Sequence, residues 1–157
     1  MYNHAPKDYK CPLCLIVNGK DNPEFFAKVA DIFYKDDFLT AFIGGKWWEK
    51  NPGGTIIIPN KHFENLYDID EEYGHKIFDF SKKLAIALKK VYGCDGVSTR
   101  QHNELAGNQE VWHYHFHVMP RWEGDELYKN HDKKRWTTAE ERKPYVEKLR
   151  KYFEENE

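Results

Sequence analysis

A chain of 157 residues is long enough to bury one core and is read as a single domain. Its formal charge of -2 comes from 24 basic and 26 acidic residues mixed along the chain, which argues against a broad electropositive track for a nucleic acid polymer. No run approaches the roughly 18 consecutive apolar residues of a membrane span, and the stretch from Met1 to Lys7 is unlike an export signal, so the expectation is a soluble, cytoplasmic protein.

In chain order, Cys11 to Val17 ends at Asn18-Gly19, the pattern of a short helical knuckle closed by residues that tolerate positive φ. The segment 27–43 is rich in Val, Ile, Phe, Tyr and Thr and is split by Lys35-Asp36-Asp37, which predicts a β-hairpin. Gly44-Gly45 and Asn51-Pro52-Gly53-Gly54 bracket Lys46-Trp47-Trp48-Glu49-Lys50, an aromatic loop suited to a lid or wall, ahead of a β-branched strand at Thr55-Ile56-Ile57-Ile58. From Asp70 to about Tyr92, apolar residues including Ile77, Phe80, Leu84 and Leu88 recur at three- and four-residue steps. That is a long amphipathic helix, with Asp70 as N-cap and Gly93 at its stop.

Two further strands are predicted at Val97 to His102 and Val111 to Met119, separated by the polar turn 103–109. Thr138-Ala139-Glu140-Glu141 is a capping box, and the helix it opens places Tyr145, Leu149 and Phe153 on one face, with Pro144 tolerable only near the start. Strands with short connections favour an α+β domain over a parallel α/β fold. The expected organisation is a domain over 1–125 with the knuckle at its head, and a helical extension over 126–157 packed on it.

The segment Trp112-His113-Tyr114-His115-Phe116-His117-Val118-Met119-Pro120 carries the chemistry. Strand side chains alternate, so the three imidazoles are expected on one side with Tyr114, Phe116 and Val118 on the other. One such histidine is ordinarily a hydrogen-bonded core residue; three in alternation point to function. They could ligate a metal, or one could act as a nucleophile whose tautomer a neighbour fixes. Cys11-Pro12-Leu13-Cys14 has the two-residue spacing of half a zinc site, to be completed by two further ligands among His62 and one histidine of the triplet. The three cysteines otherwise suggest a reducing compartment.

The run His113 to Met119 resembles the signature of the histidine triad (HIT) family, in which His alternates with apolar residues. Gln109-Glu110-Val111-Trp112-His113 is similar to the family's Gln-x-Val-x-His lead, and Pro52-Gly53 through His62 to its strand ending in Ile-Pro-x-x-His. The resemblance runs from Cys11 to about Arg121 and implies a HIT-like fold: an antiparallel sheet of about five strands, one long amphipathic helix and a C-terminal helix. It implies that His115 attacks the α-phosphorus of a small nucleotide to give a nucleotidyl-histidine, and that His117, Asn103 and Gln109 contact the phosphate. Zinc-bearing members imply a structural zinc held by Cys11, Cys14, His62 and His113, closed to substrate. A homodimer is implied as well.

Many members carry an Asp that holds the ribose where this chain has Gly44, while Phe42 and Ile43 could wall the base pocket and Trp47 or Trp48 could stack on it. Asn108, between Gly107 and Gln109, reads as a one-residue insertion in the phosphate-binding turn. His4, His75, His102 and His131 read as unspecialised, and Cys94 as a buried small side chain. The basic stretches Lys133-Lys134-Arg135 and Lys148 to Lys151 read most simply as a solvated helix face; attraction of a polyphosphate is the second reading.

Overall fold

The structure is a computed structural model describing residues 2–130 and 132–156; His131 lies outside the described residues. Asp36 makes its first turn. The carboxylate accepts the backbone N–H groups of Phe38 and Leu39 at 2.8 and 2.7 Å, folding strand β1 (Ile32–Lys35) back on β2 (Leu39–Ile43). Then follow β3 (Lys46–Trp47), β4 (Thr55–Pro59), β5 (Gly96–Gln101), β6 (Phe116–Arg121) and β7 (Arg135–Trp136). Five strands form one antiparallel sheet in the order β1-β2-β4-β6-β5, and β3 pairs with β7 as a separate ribbon. The α+β class expected from strand pattern and loop length is the one observed.

Strand alternation sorts the sheet into two faces. Leu39, Ala41, Ile43, Ile57 and Val118 point to one side and form the main core with Ile77, Phe80, Leu84 and Leu88 of helix α2 (Glu71–Tyr92) and Val146, Leu149 and Phe153 of the C-terminal helix, α3 (Ala139–Asn156). Phe42 and Ile58 point the other way, onto Leu13 and Ile16 of the knuckle helix, α1 (Pro12–Val17). Each buried aliphatic or aromatic side chain contributes about 1.5–3 kcal/mol. Because α1 covers only part of its face, the rest of that face is left to wall a cavity.

Helix α2 stops where expected, at Gly93 in the left-handed region with φ 64°. Asp70 sits at its N-cap position, but the carboxylate pairs with Lys61 Nζ at 2.6 Å and makes no capping hydrogen bond. The capping box of α3 forms as the sequence suggests: Glu141 N–H donates to Thr138 Oγ1 at 3.2 Å, and Thr138 N–H to Glu141 Oε2 at 2.8 Å. Pro144 falls in the second turn, where its missing N–H leaves one early carbonyl without a helical donor. The helix is held against β1, β2 and α2. No helix among the described residues is long and apolar enough to cross a membrane.

A buried ion pair ties α3 to the far edge of the sheet. Arg142 Nε lies 2.8 Å from Asp31 Oδ1, with the two side chains 3% and 4% exposed. Its other nitrogens donate to the carbonyls of Thr137 (2.7 Å) and Phe26 (3.0 Å), so the guanidinium is well satisfied. Removing one member of such a pair strands the other charge in the interior. Arg142→Met should therefore cost about 3–5 kcal/mol, read as a lowered midpoint in urea denaturation.

Candidate active site

Cys11 is the N-cap of α1, and its Sγ accepts Cys14 N–H at 3.4 Å, which turns both sulfurs to the same side. Cys11 Sγ lies 3.3 Å from His113 Nδ1; Cys14 Sγ lies 3.3 Å from His62 Nδ1 and 3.5 Å from His113 Nδ1. All four ligand atoms fall within 4.8 Å of one another. Bonds of roughly 2.0–2.3 Å around a tetrahedral zinc put neighbouring ligands about 3.3–3.8 Å apart, so this donor set fits the ion in both chemistry and spacing. His113 Nε2 is 3.0 Å from the carbonyl of Pro59. A carbonyl can only accept, so the proton sits on Nε2 and Nδ1 turns its lone pair toward the sulfurs. Hydrogen bonding with Cys14 draws the Cys11 thiol's pKa down, while the same contact pushes that of Cys14 up. A divalent cation removes that conflict and lets both ionise.

The histidine row divides in two. The β6 ladder begins only at Phe116, so the expected strand from Val111 is shorter than its pattern suggests. A tight turn closed by His113 N–H on Val111 carbonyl, at 2.9 Å, precedes it and leaves His113 fully buried against the cysteines. His115 and His117 instead line a cavity of about 200 Å³. Their rings stand nearly perpendicular, at 80°, with centroids 5.2 Å apart. His115 Nδ1 lies 2.7 Å from the carbonyl of His113, which by the same logic fixes the proton on Nδ1 and leaves the lone pair on Nε2. Burial pushes the pKa of both imidazoles down, that of His117 well below its ordinary value, so both are neutral near pH 7.

One end of the cavity is apolar, with Leu13, Phe25, Phe42, Ile56 and Val111 in its wall. Phe42 is there as expected, but Ile43 alternates to the opposite face and belongs to the main core. Gly44 also lines this wall, where an added Cβ would sit 3.3 Å from Ile56 Cδ1 and 3.4 Å from the Gly54 carbonyl, so a larger residue requires Ile56 to move. Of the two tryptophans, Trp48 reaches the cavity, whereas Trp47 packs edge-on against Tyr145, with ring centroids 5.0 Å apart.

The other end is polar and holds Arg100 and Glu110, to which sequence reasoning gave no site role, together with His102 and with Lys134, whose basic stretch had attraction of a polyphosphate as its second reading. His102, read as unspecialised, stands 6.1 Å from the His117 ring, and its Nδ1 lies 2.6 Å from the Gly107 carbonyl. Lys134 is not on a helix face; the β3–β7 ribbon carries it inward. Its neighbour Arg135 pairs with Glu141 at 2.6 Å. His75 and Cys94 do match their reading, as an exposed helix residue and a buried thiol. His4 pairs with Glu104 at 2.9 Å.

Asn103 and Gln109 are not brought to the cavity. Asn103 Oδ1 accepts Leu66 N–H at 2.8 Å, and its amide nitrogen donates to Gln101 at 2.7 Å. Gln109 is buried, donating to the Glu64 carbonyl at 2.6 Å and accepting Glu104 N–H at 2.8 Å. Their amides shape the turn itself, and Asn108, with a left-handed φ of 66°, presents its side of the turn to the cavity. Gly107 packs so closely that an added Cβ would lie 2.0 Å from the Asn103 carbonyl oxygen. Gly107→Ala should accordingly destabilise the protein by at least about 2 kcal/mol, measured by thermal or urea unfolding.

Comparison with known proteins agrees with this arrangement. The HIT domain matches residues 27–124. A HIT-like protein of Borreliella burgdorferi is 35% identical over 124 residues, covering 74% of this chain and 79% of the relative. An adenosine 5'-monophosphoramidase of Saccharomyces cerevisiae is 36% identical over 117 residues, 74% of this chain and 66% of that protein. Among solved structures, a zinc-bound histidine triad family protein from Mycobacterium smegmatis superposes with a TM-score of 0.74 at 25% identity, covering 93% of this chain and 94% of that one. With its imidazole row placed as described and the domain matched over most of its length, the chain belongs to the HIT, or histidine triad, family.

Proposed function

We propose that this protein is a hydrolase or nucleotidyltransferase acting at the α-phosphate of a nucleoside phosphate conjugate, of the dinucleoside polyphosphate or nucleoside phosphoramidate type, with His115 as the nucleophile. The observation that carries this reading is the 2.7 Å hydrogen bond between His115 Nδ1 and the His113 carbonyl, which leaves Nε2 as the nucleophilic nitrogen of a neutral, buried ring. Nε2 attacks the α-phosphorus and the bond to the leaving group breaks with its electron pair. Water then cleaves the phosphorus–nitrogen bond, returning the imidazole and releasing the nucleoside monophosphate. His117 is the contact to the phosphoryl oxygens, and Phe42 walls the base. Asn103 and Gln109 then act on phosphate through the turn they build. The relative that is a monophosphoramidase supports nucleotide chemistry of this kind.

Cys11, Cys14, His62 and His113 would hold zinc, which would supply a structural crosslink; with four protein donors in the set, no ligand position would be left for substrate. A homodimer joined along the sheet is part of the same reading, because β5 is an edge strand and the neighbouring α2 exposes Phe78 and Ile86.

Incubation with diadenosine triphosphate or adenosine 5'-phosphoramidate should release AMP, and His115→Ala should slow release by at least about 1,000-fold while leaving AMP binding largely intact. Nucleotide binding with no AMP from any conjugate would instead favour a sensing module. Chelation of zinc should lower the melting temperature by roughly 8–16 °C. Metal analysis should find the ion lost in Cys14→Ser and retained in His117→Ala; loss in the latter would place the ion on the triad instead.

A further inference from the structure

The nucleophile alone does not decide what departs from the α-phosphorus, and the cavity wall beyond His117 bears on that choice. Strands β5 and β6 pair so that Arg100 stands directly across from His117, and partners in an antiparallel ladder project from the same face. Both line the cavity. The Arg100 guanidinium lies 5.3 Å from the centre of the Trp48 ring, and Lys134 Nζ lies 5.4 Å from the same ring. Lys134 arrives from the C-terminal extension, held by the β3–β7 pairing and by Thr137 N–H donating to the Gly45 carbonyl at 3.0 Å.

These cations are poorly compensated. Arg100 forms no ion pair among the described residues, and its Nε is buried without a hydrogen-bond partner. A desolvated charged donor left unpaired is costly, and a ligand oxygen would relieve it. Glu110 is the acid on this wall. It is held by Lys46 at 2.9 Å and stands 4.0 Å from Lys134, so it answers one lysine closely and the other only at the limit of an ion pair.

We propose that Arg100 and Lys134, braced on Trp48, form a subsite for an anionic leaving group, and are the specificity-determining residues that favour nucleoside polyphosphate conjugates over phosphoramidates. This rests on His115 being the nucleophile. When the α-phosphorus is attacked in a polyphosphate, the phosphorus–oxygen bond breaks and its electron pair stays on the bridging oxygen, which departs as an anion without needing a proton. Two fixed cations are what such a departure needs. An amine leaving group must gain a proton at nitrogen as the phosphorus–nitrogen bond breaks. The acid facing this wall is badly suited to give one, since the hydrogen bond from Lys46 holds the Glu110 carboxyl below its ordinary range and so ionised.

Steady-state kinetics on two adenylyl donors test this. The protein should turn over diadenosine triphosphate with a higher kcat/KM than adenosine 5'-phosphoramidate, and in Arg100→Met/Lys134→Met the ratio of the two should fall about 10- to 100-fold. A ratio that moves by less than about twofold overturns the proposal, even if both rates drop. Lys134→Gln, on the ribbon and away from the sheet, is the milder variant and should lower the ratio by at least about threefold. Binding is read separately by titrating inorganic pyrophosphate into AMP-saturated protein, where the double variant should bind at least about 10-fold more weakly. Equal affinities would sink the subsite. If the unaltered protein released AMP from neither donor, the nucleophile reading would fail, and the pyrophosphate titration would still decide the anion site.

Discussion

One residue, His113, holds three parts of the molecule in register. Its Nε2–H is fixed by the Pro59 carbonyl at the end of β4, its Nδ1 faces the thiols of Cys11 and Cys14, and its own carbonyl fixes the proton of His115. The tautomer of the cavity histidine therefore depends on where the backbone of the buried one lies. That backbone is in turn placed by the cysteine cluster and by the turn closed at Val111. A metal ion at the cluster would stiffen this chain of contacts without touching substrate, which is the usual relation between a structural site and the groups it orients. Loosening the cluster would shift the carbonyl that orients the His115 ring.

Around that pivot, strand alternation assigns everything else. In β6, Phe116 and Val118 go to the core while His117 and Met119 go to the cavity; in β2, Ile43 goes to the core while Phe42 goes to the cavity wall. Two helices cover the core face, but the short α1 covers only one end of the other, so an open floor remains beside the imidazoles. The extension closes that floor from the far side. Trp136 stacks on Phe26, and Thr137 and the β3–β7 pairing bind the segment to Gly45 and Lys46. Residues far apart in sequence thus share one wall.

The fold was legible because its signals are local and periodic. The hairpin turn at Asp36, the stop at Gly93 and the capping box at Thr138 each rest on chemistry within four residues. Motif spacing pointed to Cys11 and Cys14 as half a metal site; the separation of His113 from the other two histidines came only from the family resemblance, since strand alternation alone put all three on one side. What escaped was the polar end of the cavity. Arg100 lies on a strand whose sequence looks unremarkable beside the triad, and it gains its place only through its register with His117. Lys134 reads first as part of a solvated basic face, with polyphosphate attraction second, until the ribbon turns it inward. Asn103 and Gln109 resemble phosphate ligands by position, yet other partners claim their amides: the Leu66 N–H and the Gln101 side chain for Asn103, and the buried Glu64 carbonyl, which is costly to leave unpaired, for Gln109. Register and tertiary hydrogen bonding do not show in a one-dimensional pattern.

The two ends of the cavity are linked by electrostatics as well as by shape. A histidine that attacks phosphorus must be neutral, and an anionic substrate beside it would by itself raise its affinity for a proton. Desolvation lowers that affinity for His117, and the neighbouring rings and the charges of Arg100 and Lys134 lower it further. The same cations that attract phosphate therefore offset the protonation that phosphate would otherwise induce. An apolar wall with no such charges could hold a neutral imidazole when empty, but would lose it as the anion arrived. Arg100, across the strand pair, and Lys134, from the C-terminal extension, thus hold the His117 ring toward its neutral form, while His115 is held there chiefly by burial.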